Sequence, residues 1–380
     1  MTQKIFSLKI VAIGHFVSRS GTIFIHSLLD NHPEVITIPA TIDISDLLVN
    51  KKLSAQKYFE IFEKNNPKFF DTSKFTLKDK HNSKLYNLGE NKNERIITNK
   101  SVFKKYFFQN LENKNINSEN VLKAIYLSYS MSHNKNVSKS KIFLFHPHEK
   151  KITLKFNKFF KHSKYIVPVR NPIKVYESII RQVKTVKKIR NEPYYPSGQL
   201  IESALDIDDF YKANLNMYFI KMEDFNKNLE KEVIKLSKYL DIKFQPSMLE
   251  STFGGLKYWG NNASKDNKNF NRIVHNEFSD LPRNDLIFLN LLNKEYLKTL
   301  NYKQTKVKFF EKILIPIILF KPMKDEIEFL KKINIREFAI YFKYLSYYLP
   351  KRLYLIYIIL KNKFSRRYRY LKEKINYNNS

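Results

Sequence analysis

Leu8-Lys-Ile-Val-Ala-Ile-Gly14-His-Phe-Val-Ser-Arg-Ser-Gly-Thr22-Ile-Phe-Ile-His-Ser-Leu-Leu-Asp30 is the stretch whose reading decides the fold. Leu8–Ile13 is a nearly continuous apolar run that stops at a glycine, the pattern of a strand buried on both faces in a parallel sheet. A polar loop follows. Apolar residues at helical spacing then predict a helix from Ile23 to Asp30, closed by Asn31-His32-Pro33. A second apolar run, Val35–Ile38, ends at Pro39. Strand, loop, helix, strand is the opening of a doubly wound α/β sheet.

The loop between that strand and helix has the chemistry of an anion cradle. A helix N-terminus offers unpaired N–H groups and the positive end of a dipole. Gly21 lets the backbone approach a phosphate, Ser20 and Thr22 can donate hydroxyl hydrogen bonds, and Arg19 adds a forked positive charge. A nucleoside triphosphatase needs Gly-Lys-Ser/Thr at this point. Here the order is Arg-Ser-Gly-Thr with no lysine after the glycine. The loop favours a phosphate ligand held without a metal over ATP with Mg²⁺, and a P-loop kinase-like enzyme is kept as the alternative.

Further along, Lys51–Lys141 is rich in Lys and Asn, with amphipathic pieces at Ala55–Glu63 and Glu119–Ser132. It reads as a helical and loop-rich insertion. Strands are expected at Lys141–Phe145, Tyr165–Val169 and Asn216–Lys221, and helices at Lys150–Lys161, from Pro172, at Leu229–Leu240 and at Asp285–Thr299. Residues 251–282, which hold Gly254, Gly255 and Gly260, read as a loop. The expected division is one α/β domain over 1–302 and a helical extension over 303–380. Residues 306–380 carry eighteen Lys/Arg against six Asp/Glu, interleaved with aromatics and aliphatics.

Composition narrows the function classes. The chain has 380 residues, 43% hydrophobic and 15% aromatic, enough to bury a core. With no cysteine, thiolate metal sites, disulfides and cysteine nucleophiles are excluded, and a cytoplasmic setting is the simplest expectation. The net charge of +32 suits a polyanion or an anionic membrane. Lys, Asn, Ile, Tyr and Phe are abundant together, so A/T-rich coding explains the same charge without any partner. No nucleic-acid-binding signature accompanies it, and nucleic acid is not an expected partner. A non-catalytic protein that binds polyanions or a membrane surface is the third class. Lys351–Lys363 could make peripheral contact with an anionic membrane; the preferred reading is a helical extension packed on the main domain with a solvated basic face.

At this point the residues resemble a known family. Ser18-Arg-Ser-Gly-Thr22, with the helix and His32-Pro-Glu-Val35 after it, is similar to the 5′-phosphosulfate-binding motif of sulfotransferases, in the Arg-Ser-Gly-Thr form of the carbohydrate, tyrosylprotein and bacterial branches. Tyr165-Ile-Val-Pro-Val-Arg170-Asn-Pro-Ile-Lys-Val-Tyr-Glu-Ser178 resembles the family's 3′-phosphate motif, an arginine at a strand end and a serine eight residues on. Eight residues is about two helical turns, so both face one side. The resemblance implies a P-loop-type parallel sheet flanked by helices and 3′-phosphoadenylyl sulfate as donor, with no metal. It also implies sulfuryl transfer to a hydroxyl or amine, a glycan by analogy. Donor contacts would come from Arg19, Ser20, Gly21, Thr22, Arg170 and Ser178, with Arg19 also stabilising the leaving phosphate.

Many relatives use a histidine base at the end of the strand before the 3′-phosphate strand. Phe145-His-Pro-His148 stands there, and spacing leaves both His146 and His148 as catalytic candidates, His146 being preferred because it directly ends the strand. Asp43 and Asp46 are the fallback. His26, inside the apolar first helix, reads as a hydrogen-bonded core residue. Met222 stands where the family has a tyrosine. In Ser251–Gly260, Lys257 near phosphate with Trp259 over adenine competes with Trp259 as a packing anchor.

Overall fold

The computed structural model describes residues 2–14, 19–39, 41–74, 85, 88–185, 213, 215–260 and 281–330, with scattered positions between 342 and 359. Ser18, parts of the 51–141 insertion and of the 251–282 loop, and most of the sequence beyond 330 lie outside the described residues.

In chain order the elements are α1 (Thr2–Phe6), β1 (Lys9–Ile13), α2 (Thr22–Leu29), β2 (Val35–Ile36), α3 (Ala55–Asn65), α4 (Lys100–Leu111), α5 (Ser118–Ser132), β3 (Ile142–Phe145), α6 (Lys150–Phe159), β4 (Lys164–Val169) and α7 (Pro172–Thr185). They continue as β5 (Asn216–Lys221), α8 (Met222–Lys227), α9 (Leu229–Leu240), β6 (Thr252–Phe253), β7 (Leu256–Lys257), α10 (Arg283–Leu292), α11 (Lys294–Thr299), α12 (Phe309–Ile313), α13 (Ile315–Phe320) and α14 (Lys324–Leu330). The chain forms two compact units. The first is built from 1–15, 21–168 and 215–274, and the second from 16–20, 169–214 and 275–380.

The first unit carries a five-stranded sheet in the order β2-β3-β1-β4-β5. β1 lies parallel to both β3 and β4, and β2 is parallel to β3. The apolar runs dictate this arrangement. Val11, Ile13, Ile142, Leu144, Ile166 and Ile220 are all buried, and α2 and α9 lay Ile25, Leu28, Leu29, Val233 and Leu236 into the same core. The register pairs Ala12 with Phe145 and Ile13 with Ile166. Gly14 and His146, each one or two residues past those pairs, therefore come out together at the carboxyl edge, where α/β sheets place ligands.

β2 is shorter than the expected Val35–Ile38. Past Ile36 a side chain replaces the ladder: the Thr37 hydroxyl donates to the Leu144 carbonyl at 3.1 Å. The insertion is more helical than expected, because α4 was not predicted. Asn99 caps it by accepting the Val102 N–H at 3.1 Å. Its buried face, Phe103, Phe107 and Leu111 at i, i+4, i+8, packs on Phe59 and Phe62 of α3, with the Phe62 and Phe103 rings stacked at 5.8 Å. The signal was present but diluted by lysines between the apolar positions. The 251–282 loop contains a β6–β7 hairpin.

The second unit packs α7 with the helices of the C-terminal half. The expected helix Asp285–Thr299 is two helices, divided at Asn293, whose backbone N–H and side-chain amide both donate to the Leu289 carbonyl. The extension is fastened by specific polar contacts. Arg283 forms a bidentate pair with Glu311 at 2.7 Å, the Tyr176 hydroxyl donates to Asp325, and Arg352 donates to the Leu319 carbonyl while its guanidinium lies 4.0 Å over Phe288. Among the described residues no helix is long and apolar enough to cross a membrane.

Candidate functional site

Gly21 opens α2 in a left-handed conformation, φ 95°, and Arg19 two residues earlier is also left-handed, φ 62°. At Gly21 a Cβ would stand 2.7 Å from Cε of Met222, so the residue that replaces the family's tyrosine is seated on the loop glycine. Gly21→Ala is expected to cost about 1–3 kcal/mol from the φ requirement. Adding Met222→Ala should recover only the steric part. Urea melts of the single and double variants measure both terms.

In the second unit the structure brings Arg19 against the Arg170–Ser178 segment. Arg19 Nε donates to Ser178 Oγ at 3.2 Å across 159 residues of sequence, and Arg170 Nη1 donates to the Arg19 carbonyl at 3.4 Å. The Ser20 hydroxyl is buried, 1% exposed, with no hydrogen-bond partner among the described residues. A buried hydroxyl in that state costs free energy unless a ligand satisfies it. Two guanidinium groups, Ser178 and Ser20 make up a donor set for an anion with several oxygens.

Local structure explains how α7 holds its part. Asn171 Oδ1 accepts the Ile173 N–H at 2.9 Å, and Pro172 occupies the first helical position where a missing N–H costs nothing. The Arg170 backbone is held from α11, where the Tyr296 hydroxyl donates to its carbonyl at 3.0 Å. Tyr296 was not singled out in the sequence, because nothing local marks a tyrosine 126 residues away as a backbone clamp.

In the first unit, His146 ends β3 and is 2% exposed, whereas His148 is half-buried. The two rings stand edge to face at 5.6 Å. His26 of α2 is fully buried and joins this group, with its Nδ1 3.1 Å from Nδ1 of His146 and its Nε2 2.9 Å from the Thr37 hydroxyl. Burial pushes the His26 pKa down to about 3, so the ring is neutral at ordinary pH. The core reading of His26 agrees with its burial, but its partner is the candidate base, which sequence spacing could not reveal.

Other candidates are engaged elsewhere. Asp43 accepts from the Ser45 N–H and hydroxyl, and Asp46 accepts from Asn65 at 2.9 Å. Lys257 pairs with Glu90 at 2.9 Å. Trp259 donates to the Gly89 carbonyl at 2.6 Å, and the ammonium groups of Lys92 and Lys257 lie 4.6 and 4.5 Å from its ring centre. That is the geometry of a packing anchor.

A five-stranded α/β sheet, with a left-handed glycine opening the helix that follows its first strand, defines an α/β protein of the P-loop type. The profile of the sulfotransferase domain matches residues 16–283, and the chain belongs to the sulfotransferase family. Two solved structures are similar. The sulfotransferase domain from the curacin biosynthetic pathway is 16% identical, covers 78% of this chain and 98% of its own, and has a TM-score of 0.40. The sulfotransferase domain from the Synechococcus PCC 7002 olefin synthase is 14% identical, covers 65% and 78%, and has a TM-score of 0.36. No curated protein sequence matches this chain.

Proposed function

We propose that the protein transfers a sulfuryl group from 3′-phosphoadenylyl sulfate to a hydroxyl or amine, without a metal. A glycan hydroxyl is the first acceptor class to test. The observation that carries the reading is the closure of Arg19 on Ser178, with Arg170 on the Arg19 carbonyl and a buried, unsatisfied Ser20 hydroxyl beside them in sequence. Ser178 and Arg170 would hold the 3′-phosphate, and Arg19, Ser20, Gly21 and Thr22 the 5′-phosphosulfate.

In the proposed step, the acceptor oxygen attacks sulfur in line as its proton passes to His146. The bond from sulfur to the bridging oxygen breaks, and the electron pair stays on the 5′-phosphate of the departing bisphosphate. Arg19 stabilises that charge, which exists fully only as the bond breaks. Titration calorimetry with 3′-phosphoadenosine 5′-phosphate tests the donor assignment. Binding tighter than that of ATP with Mg²⁺ is expected, and the reverse preference would return the chain to the kinase-like alternative.

A membrane-facing role is favoured by one further observation. Phe309, Phe310, Ile313, Ile317 and Phe320 of α12 and α13 are exposed, Phe309 at 79%, and Lys306, Lys308, Lys312 and Lys321 are interspersed with them. Apolar side chains beside lysines suit an anionic lipid surface. Sedimentation with phosphatidylserine vesicles is expected for the full chain, and should be lost when Phe309, Phe310 and Ile313 are replaced by serine. Equal sedimentation of both would leave only the packing role.

A further inference from the structure

The hydroxyl of Thr37 lies between the Leu144 carbonyl at 3.1 Å and Nε2 of His26 at 2.9 Å. A carbonyl oxygen only accepts, so the single hydroxyl proton goes to Leu144, and toward His26 the Thr37 oxygen is the acceptor. Nε2 of His26 therefore carries a hydrogen. The ring is buried and neutral, and a neutral imidazole bears one hydrogen, so Nδ1 of His26 presents a lone pair. Nδ1 of His146, 3.1 Å away, must then be the donor in this contact. A neutral His146 with its hydrogen on Nδ1 has its basic lone pair on Nε2.

We infer that His26, backed by Thr37, is a positioning residue that holds His146 as the Nδ1–H tautomer and so makes Nε2 the atom that takes the acceptor proton. The inference rests on the reading of His146 as the base in sulfuryl transfer. Every link is buried: His26 is 0% exposed, Thr37 1% and His146 2%. No link depends on a surface side chain, so water does not compete for the hydrogen bonds.

The protons balance in one step. Nε2 of His146 gains the acceptor proton and the ring becomes an imidazolium. Its Nδ1–H continues to donate to His26, now as a charge-assisted bond, and no second proton moves. A neutral histidine thus takes the place that a carboxylate holds behind the histidine of serine hydrolases, orienting the ring and choosing its tautomer. A neutral acceptor supports the imidazolium less than a carboxylate does.

Other groups also face the pair. His148 approaches His146 edge-on from the same turn, Tyr126 of α5 is hydrogen-bonded to the His146 backbone, and the Phe253 ring of β6 stands edge to face with His26 at 5.3 Å. Tyr126 has its pKa raised by burial and stays a neutral phenol.

The direct test is a long-range ¹H–¹⁵N correlation spectrum of the full chain labelled with [¹⁵N]histidine, in which the two neutral tautomers give distinct nitrogen shifts. The expected result is Nδ1–H for His146 and Nε2–H for His26; Nε2–H on His146 would overturn the inference. The second readout is the pH–rate profile of donor hydrolysis, with water as the acceptor and bisphosphate release measured. His26→Phe keeps a ring against Phe253 but removes the acceptor. It should lower the rate by about 10- to 100-fold and shift the rising limb to lower pH, because the imidazolium has lost its support.

His26→Asn, whose Oδ1 can accept in place of Nδ1, should restore the limb toward wild type. A folded His26→Asn that behaves like His26→Phe would count against the relay. If His26→Phe fails to fold, Thr37→Val is the substitute, and a His26 tautomer unchanged in that variant would refute the Thr37 link. These outcomes are separable from the donor reading. A wild-type chain that binds no bisphosphate sinks the donor assignment whatever the tautomers are, and the wrong tautomer sinks the relay even where the bisphosphate binds.

Discussion

Arg19→Ala is expected to weaken binding of 3′-phosphoadenosine 5′-phosphate by about 10- to 100-fold, the worth of a hydrogen bond to a charged partner. Arg19 serves two purposes. Its guanidinium reaches Ser178, and its carbonyl accepts from Arg170, so the residue ties together the groups proposed for the two phosphates. Arg170→Ala should cause a loss of similar size. Because the two arginines touch, the double variant should lose less than the product of the single effects, by a coupling of about 0.5–3 kcal/mol. Lysine at either position should rescue poorly, since an ammonium cannot reproduce the fork that reaches two oxygens. Calorimetry at two salt concentrations measures all of these. Wild-type affinity in both single variants would refute the donor site.

His146→Ala is expected to lower turnover by about 10²- to 10⁴-fold, the usual worth of a positioned general base, while leaving bisphosphate affinity within a few-fold of wild type. The contrast with the arginine variants is the point of the experiment: one set should fail in binding and the other in chemistry. His148→Ala should have a much smaller effect, because His148 is half-buried and His146 has the Nδ1 contact with His26. The sign with pH follows from the role. A base works only when unprotonated, so activity should rise with pH through the His146 pKa. His146→Ala should flatten that limb. Turnover of donor with water or an added alcohol, followed by bisphosphate release, supplies the measurement. Loss of activity in His148→Ala with full activity in His146→Ala would reverse the assignment.

Much of the sheet was legible because buried parallel strands are short continuous apolar runs. β5 is found at its expected residues, and β1, β3 and β4 to within one residue. The helix after the loop was legible from spacing and from the Asn-His-Pro stop. Elements whose apolar residues alternate with lysine were harder. α4 escaped because Lys104, Lys105 and the polar residues around Phe103 and Phe107 blur its face until α3 is packed against it. The break at Asn293 was also invisible, since the apolar periodicity runs through it and only the backbone turn reveals the division.

The sequence alone determined the order Arg-Ser-Gly-Thr, the eight-residue step from Arg170 to Ser178, and hence the family. These signals are local, since a tight turn, a helix start and a helical repeat are all set by residues close in the chain. Tertiary structure alone decided which distant groups meet. Arg19 closes on Ser178 across 159 residues, Tyr296 clamps Arg170 across 126, and His26 meets His146 across 120. Long-range pairing depends on how whole elements pack against the sheet, and no spacing in the chain encodes it. For that reason the sequence could put two histidines beside each other as rivals. The packing of α2 and Thr37 against β3 brings His26 onto His146, and the proposed choice between the two histidines rests on that contact.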